Sequence, residues 1–498
     1  MASSTTTVSA SGTGGATPPA TARGTRPVTA WATATAAALA AIAAFVASAA
    51  GIGVPASYEA HVAVDETQYV LTALSLWEDG DLDIADELAA GRWRDFADRP
   101  PSVQTEVLAG GRQVSPHDPL LPVLLAVPVG VGGWVGAKVA LALVAAATAA
   151  LTVWVAVRRF AVPVPLAGAG TALLAATAPL SVYGQQIYPE LPAALAALAG
   201  VAALTASAMA PASTLWRRDL VLVAAVVALP WFGVKYVPVA AALAAACLVR
   251  ALRAGRRRAA LAITVSLAVA GAGYLLVHRL VWGGWTVYAS GDHFRSTGEF
   301  SVVGVTPDYA DRTVRLVGLL VDREFGLVGW QPAWLLLVPA AGALLRMRQW
   351  TLLAVVAAGW ATATWVALTM HGYWWPGRQV VVVLPVALVG LLAWLARSSP
   401  RLVAAAGVMG AAGLWTYVLV LRAGWAEQLS WVFDFATVQA PAYRLLRPLL
   451  PDYRAAGVPA AHLVWVAVVL GLVYLGWWSA ARQPGRRPAP VPEREHAC

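Results

Sequence analysis

VDETQYVLTALSLWEDGDLDIADE, residues 64–87, opens on an adjacent acid pair, Asp65 and Glu66, followed by apolar residues at helical spacing: Val70, Leu71, Leu74 and Trp77. An acidic turn closes it with Glu78, Asp79, Gly80, Asp81 and Asp83. The pattern predicts a short amphipathic helix lying on a membrane face, with two carboxylates at its start. Asp65 with Gln68 three residues on is also an acceptable helix cap and capping-box pair, so spacing alone leaves capping and chemistry both open.

The flanks decide where this stretch lies. Residues 1–27 are rich in Ser, Thr, Gly, Pro and Ala and read as a disordered cytoplasmic tail. An apolar run from Val28 to Val54 follows. It is long for a signal-peptide core, although Ala47, Ser48 and Ala49 resemble a cleavage site, and it reads as an uncleaved anchor. Arg23 and Arg26 put its start in the cytoplasm, so the acid pair emerges outside.

The composition agrees with a membrane chain. Of 498 residues, 59% are hydrophobic and 12% charged, where soluble domains carry roughly 25% charged residues. Mean hydropathy is +0.66. Twenty-three tryptophans fit a chain with much interfacial surface. The formal charge of +9 comes largely from arginine clusters between apolar spans, which orients the protein in the bilayer and implies no nucleic-acid partner. Cys247 and Cys498 are the only cysteines, which excludes a disulfide framework and a thiol metal site. Lysine occurs only at 138 and 235; this arginine-rich, lysine-poor usage suggests a GC-rich bacterial genome and so a bacterial plasma membrane.

Arginine placement gives the topology. The run from Pro119 to Val157 is too long for one crossing and should divide at the glycine-rich patch from Gly130 to Gly136. Further crossings are expected near 163–180, 188–209, two short ones within 219–250, then 259–282, 331–346, 350–370, 379–397, 402–421 and 460–480. Arg158, Arg217, Arg256, Arg346, Arg397 and their neighbours mark the inner ends, while the short outer turns 181–187 and 371–377 carry no arginine. The expected fold class is therefore an all-α integral membrane protein. It has about twelve transmembrane helices, extracytoplasmic amphipathic helices and loops, and both termini inside. The membrane domain spans 28–480, its outer segments are 55–118, 283–330 and 422–459, and 481–498 is a basic cytoplasmic tail.

Polar residues gather outside, whereas a channel or carrier keeps them at mid-span. That asymmetry favours a reaction at the outer surface. Asp65 and Glu66 are the catalytic candidates, since a carboxylate beside an apolar helix face can take a proton from a hydroxyl. The pair could also hold a divalent cation, although two ligands make weak grounds for one. Lys235 in PWFGVKYVP and Arg378 in YWWPGRQ suit a lipid phosphate; snorkelling and interfacial anchoring are the competing readings. Glu190 could pair with Lys235 or orient a sugar hydroxyl. His117 and Asp118 close the first outer segment, as substrate contacts or as a turn before Pro119. His371, Asp322, Arg323, Glu324, His278 and Arg279 are weaker candidates. The sequence has no glycine-rich phosphate loop, zinc-type cluster or Ser/His/Asp set at convincing spacing, so no metal ligand is assigned.

Taken together, VDETQYVLTALSLWEDGDLDI, HDPLLPVLLAVP, VYGQQIYPELPAAL, LPWFGVKYVPVA, DREFGLVGWQPAWLL and WWPGRQVVVVLP resemble the GT-C superfamily of polytopic glycosyltransferases. Within it they look like the dolichyl-phosphate-mannose protein mannosyltransferase and lipid A aminoarabinose transferase type. The blocks are scattered over roughly 64–385. The resemblance implies transfer of a sugar from a polyprenyl-phosphate donor to a glycan, lipid or protein acceptor on the outer face. It implies Asp65 as base, Lys235 and Arg378 as phosphate ligands, inversion at the anomeric carbon, and no soluble cofactor. The chain lacks the large soluble C-terminal domain of some relatives, which leaves the acceptor open. The rival readings are a flippase of lipid-linked sugars, a non-catalytic envelope scaffold, and a polymerase or ligase using a lipid-diphosphate donor.

Overall fold

The computed structural model describes residues 30–102, 104–206, 212–290, 307–454 and 457–481, with the side chains of 212–214 left aside. Both expected tails and the GDHFRSTGEF part of the second outer segment lie outside the described residues. Among the described residues the chain is helical throughout and contains no strand, only isolated bridges.

The helices follow the hydropathy pattern. The anchor is α1 (Ala30–Ala50), and the amphipathic stretch becomes α2 (Asp65–Glu78) and α3 (Ala85–Ala90). The long apolar run is α4 (Leu120–Phe160), bent where Gly133 adopts φ 59° and ψ −153°, inside the expected glycine patch. Next come α5 (Val164–Ala175), α6 (Leu180–Tyr183), α7 (Glu190–Leu204), α8 (Ala212–Phe232), α9 (Val237–Arg253) and α10 (Arg257–Val281). Gly233 ends α8, and Lys235 sits in the turn that leads to α9, as the paired short spans required.

The short helices α11 (Tyr309–Arg312), α12 (Arg315–Val321) and α13 (Leu327–Trp330) precede α14 (Leu337–Arg346) and α15 (Trp350–Ala361). A short 3-10 helix opened by Arg378 (Arg378–Val383) runs into α16 (Leu384–Leu395), then α17 (Pro400–Trp425), α18 (Pro441–Leu446) and α19 (Ala461–Ala481). Seven helices among the described residues are long and apolar enough to cross a membrane. Four shorter apolar helices, at Val164–Ala175, Glu190–Leu204, Pro332–Arg346 and Trp350–Val366, stand among them. The chain is a multi-pass membrane protein.

Packing is graded from centre to rim. Every residue of α16 is buried, and α16 meets α4, α7 and α14. In α19 only Gly476 is buried, against the backbone of Pro339, and leucine, valine and tryptophan side chains cover the rest. A helix apolar all round is a core element where protein surrounds it and a lipid-facing one where protein does not. The central position of α16 fixes Arg378 at its head, and α2 lies against α4 near that point.

Candidate functional site

Four charged residues from four separate stretches meet at the loop-rich end of the bundle. Arg378 donates from Nη2 to Asp65 Oδ2 at 3.0 Å and from Nε to Glu190 Oε1 at 2.8 Å. Lys235 Nζ donates to the same Glu190 oxygen at 2.8 Å. The guanidinium lies over the Tyr188 ring, 4.0 Å from its centroid, and 5.1 Å from that of Trp374. Cation–π contact and a two-carboxylate fork hold it in one orientation, which lysine does not reproduce. Glu190 is 1% exposed, whereas Asp65 and Lys235 are 21% and 22% exposed. The two ends of the network therefore open outward while its centre is closed.

Asp65 is the first residue of α2, and Val64 before it has φ 54°, an unusual backbone for a β-branched residue. The Asp65 side chain caps nothing in its own helix. Its other oxygen accepts from Gln104 Nε2 at 3.3 Å, and Gln104 Oε1 faces His117 Nε2 at 3.0 Å. Because a carboxylate only accepts, the Gln104 amide nitrogen points to Asp65 and the proton of His117 sits on Nε2. Burial alone would push Asp65 up, but Arg378, His117 and the two hydrogen bonds hold it down to about 2. Burial pushes His117 below the usual imidazole range, against the pull of Asp65.

Glu66 departs from its expected partnership with Asp65. It is fully buried and turned away, its oxygens accepting the backbone N–H groups of Ile187 at 2.6 Å and Ala63 at 3.2 Å. Burial pushes its carboxyl above the usual range even though Lys138 and these N–H groups oppose the shift. Adjacent carboxyls are thus driven in opposite directions. Asp65 accepts from side chains, whereas Glu66 accepts from backbone.

Asp118 lies one layer behind. Its Oδ2 accepts the Val234 N–H at 2.9 Å, and its Oδ1 accepts from Tyr274 Oη at 2.8 Å and faces His278 Nε2 at 3.1 Å. It thereby fixes the turn that carries Lys235. His371 is not brought to this network. It faces Asp322 at 3.3 Å and lines a cavity with Asp308, Asp311, Arg312, Arg315 and Tyr453.

Sequence reasoning passed over Gln104, Tyr188 and Trp374, uncharged residues that no motif marks. It also gave no role to Lys138, which is fully buried, has no hydrogen-bond partner among the described residues, and lies 5.4 Å from the Trp134 ring centroid. A lysine inside an apolar run, one of two in the chain, was the signal available.

No protein-family model and no curated protein matches the chain. Among solved structures it is similar to ArnT from Cupriavidus metallidurans bound to undecaprenyl phosphate, with 15% identity over 91% of this chain and 78% of that one and a TM-score of 0.46. The apo state of the same protein gives 16% identity, 90% and 76% coverage and a TM-score of 0.45. No activity or substrate is carried from these structures to this chain.

Proposed function

We propose that this protein is a membrane glycosyltransferase that moves a hexose or pentose from a polyprenyl-phosphate donor to an acceptor hydroxyl at the outer membrane face. The acceptor is a glycan, lipid or protein of the envelope, and both chain termini are cytoplasmic. The observation that carries the reading is the convergence of Asp65, Glu190, Lys235 and Arg378, 313 residues apart at the extremes, in one hydrogen-bonded network. Two cations at the loop-rich end of apolar helices suit an anionic lipid headgroup, and an aspartate one bond away suits a proton acceptor.

In the reaction, Asp65 takes the acceptor proton as the acceptor oxygen bonds to the anomeric carbon. The bond from that carbon to the phosphate oxygen breaks, and polyprenyl phosphate leaves with one more negative charge, which Lys235 and Arg378 neutralise. Attack from the face opposite the phosphate inverts the anomeric centre. A carboxyl held down to about 2 is a weak base. A donor phosphate competes with Asp65 for Arg378, so loading the donor weakens that hold and raises the basicity of Asp65 when it is needed. Glu190, closed off and shared by both cations, keeps them in place meanwhile.

The test is sugar transfer from radiolabelled polyprenyl-phosphate donors into an envelope extract, using membranes with wild type or Asp65→Asn. Turnover in wild type and its loss in the variant, with donor binding kept, is the expected result. Equal turnover in both removes Asp65 from the mechanism. No turnover with any donor returns the flippase and scaffold readings, which a flipping assay then separates.

A further inference from the structure

The acidic turn that follows α2 contains more carboxylates than its own hydrogen bonds use. Asp81 Oδ1 accepts from Ser75 Oγ at 2.9 Å and from the Asp83 N–H at 2.8 Å. Asp83 Oδ1 accepts the N–H groups of Ala85 at 3.1 Å and Gln113 at 2.8 Å. Glu78 pairs with Arg92. Asp79, Asp86 and Glu87 are left over, and an oxygen from each lies within 4.8 Å of the others.

Glu87 is the unusual member. Asp79 and Asp86 are exposed, but Glu87 is 2% exposed and neither of its oxygens has a hydrogen-bond donor among the described residues. A buried carboxylate without a partner is among the costliest groups a fold can carry. The nearby guanidinium, Arg92, is committed to Glu78. Either a proton shared with Asp86 or a bound cation relieves the cost.

We infer that Asp79, Asp86 and Glu87 form a divalent-cation site at the junction of α2 and α3, with a calcium-sized ion as its occupant. Oxygens within 4.8 Å of one another need only small side-chain adjustments to meet one ion at about 2.3–2.6 Å, the calcium range, while magnesium demands shorter bonds in stricter geometry. A donor set of carboxylates alone does not favour the softer metals that prefer imidazole or thiolate. Asp79 is the C-cap of α2 and Glu87 lies in α3, so the ion ties the far end of the helix that begins at Asp65 to the segment packed below it. The inference is independent of what the Asp65 network does.

Calcium chloride titrated into the full chain in detergent tests it, by calorimetry and by thermal unfolding. One saturable site with a dissociation constant of about 10⁻⁴–10⁻³ M is expected, the range of extracellular calcium modules. Calcium should raise the unfolding midpoint. Glu87→Gln should abolish the uptake, and Asp79→Asn and Asp86→Asn, both at exposed positions, should weaken it about tenfold each through lost ligand charge. No saturable uptake below about 5 mM, well above that range, overturns the site. Uptake unchanged in all three variants overturns it too. A Glu87→Gln protein as stable as wild type, with calcium shifting neither midpoint, assigns the pair to a shared proton instead.

Discussion

Asp65 and Asp322 are both aspartates at the loop-rich end of the bundle, each with a histidine in its surroundings, yet their partners differ in kind. Asp322 is 1% exposed. Its Oδ1 accepts the N–H groups of Glu324 and Phe325 at 2.9 and 2.6 Å, and its Oδ2 accepts the Tyr453 N–H at 3.2 Å. Backbone donors cannot leave without unfolding the turn, so Asp322 is a fixed joint between its own loop and the 450s. Among the described residues, Asp65 accepts only from the side chains of Arg378 and Gln104, which a ligand can draw away. Glu66, one residue from Asp65, belongs with Asp322 by this criterion. Asp65, held by side chains and partly exposed, is available for chemistry, whereas Glu66 and Asp322, held by backbone, are spent on the fold.

The largest expected effect sets Asp65 against Glu66. Asp65→Asn should lower transfer per folded molecule by about 10²–10⁴-fold, the usual worth of a general base, and should also give up the stability that its ion pair with Arg378 supplies at neutral pH. Glu66→Gln keeps the shape but offers one acceptor oxygen to two N–H groups, so it should cost about 1–3 kcal/mol of stability while turnover per folded molecule is largely kept. Transfer assays alongside unfolding midpoints in detergent separate the two. Loss of turnover without loss of stability in Glu66→Gln would erase the distinction.

Arg378→Lys sharpens the same comparison. The charge remains, but one ammonium cannot serve Asp65 and Glu190 in the fork geometry. The KM for donor should rise about tenfold, the weight of one lost charge-assisted hydrogen bond. Because Arg378 is the leading influence that holds Asp65 down, the Asp65 carboxyl should move up. In wild type, Asp65 at about 2 is ionised through the whole working range. Its stabilising contribution is present above the unfolded aspartate value, roughly 3.9, and is lost as pH falls through about 2. A kcat/KM profile should therefore show no Asp65 acid limb between about pH 5 and 8. A limb in that window for wild type would contradict the hold of Arg378 on Asp65.

Much of the architecture was legible because lipid imposes a simple code. Arginine at one end of each apolar run and none in the short outer turns located the helices and the turn at Lys235, and the glycine patch in an overlong apolar run located the break at Gly133. Of the network of Asp65, Glu190, Lys235 and Arg378, the Glu190–Lys235 pair was named from the sequence as one option, while the links through Arg378 were legible only as residues at one depth, since depth follows from span boundaries. Their pairing depends on how helices rotate and pack, which side-chain volumes decide over the whole bundle. The same blindness applied to Glu66. Its partner Ile187 N–H lies 121 residues away and is a backbone group, which no residue type announces. His371 shares the outer-turn position expected of the others, but it faces Asp322 and lines a different cavity.

The weakest prediction concerns ion pairs at the surface of the second region. Glu324 is 19% exposed and meets Arg454 at 2.6 Å, with Arg454 itself 49% exposed. Such a pair gains little in a solvated setting, so Arg454→Ala should change stability by no more than about 1 kcal/mol and leave transfer unchanged. Asp322→Asn, a few ångströms along the same loop, should cost about 1–3 kcal/mol because it withdraws an acceptor from buried N–H groups, again without loss of turnover per folded molecule. If Asp322→Asn instead abolished transfer in a protein that still unfolds at the wild-type temperature, backbone partners would not mark a carboxylate as structural, and the active region would have to extend to His371 and its cavity.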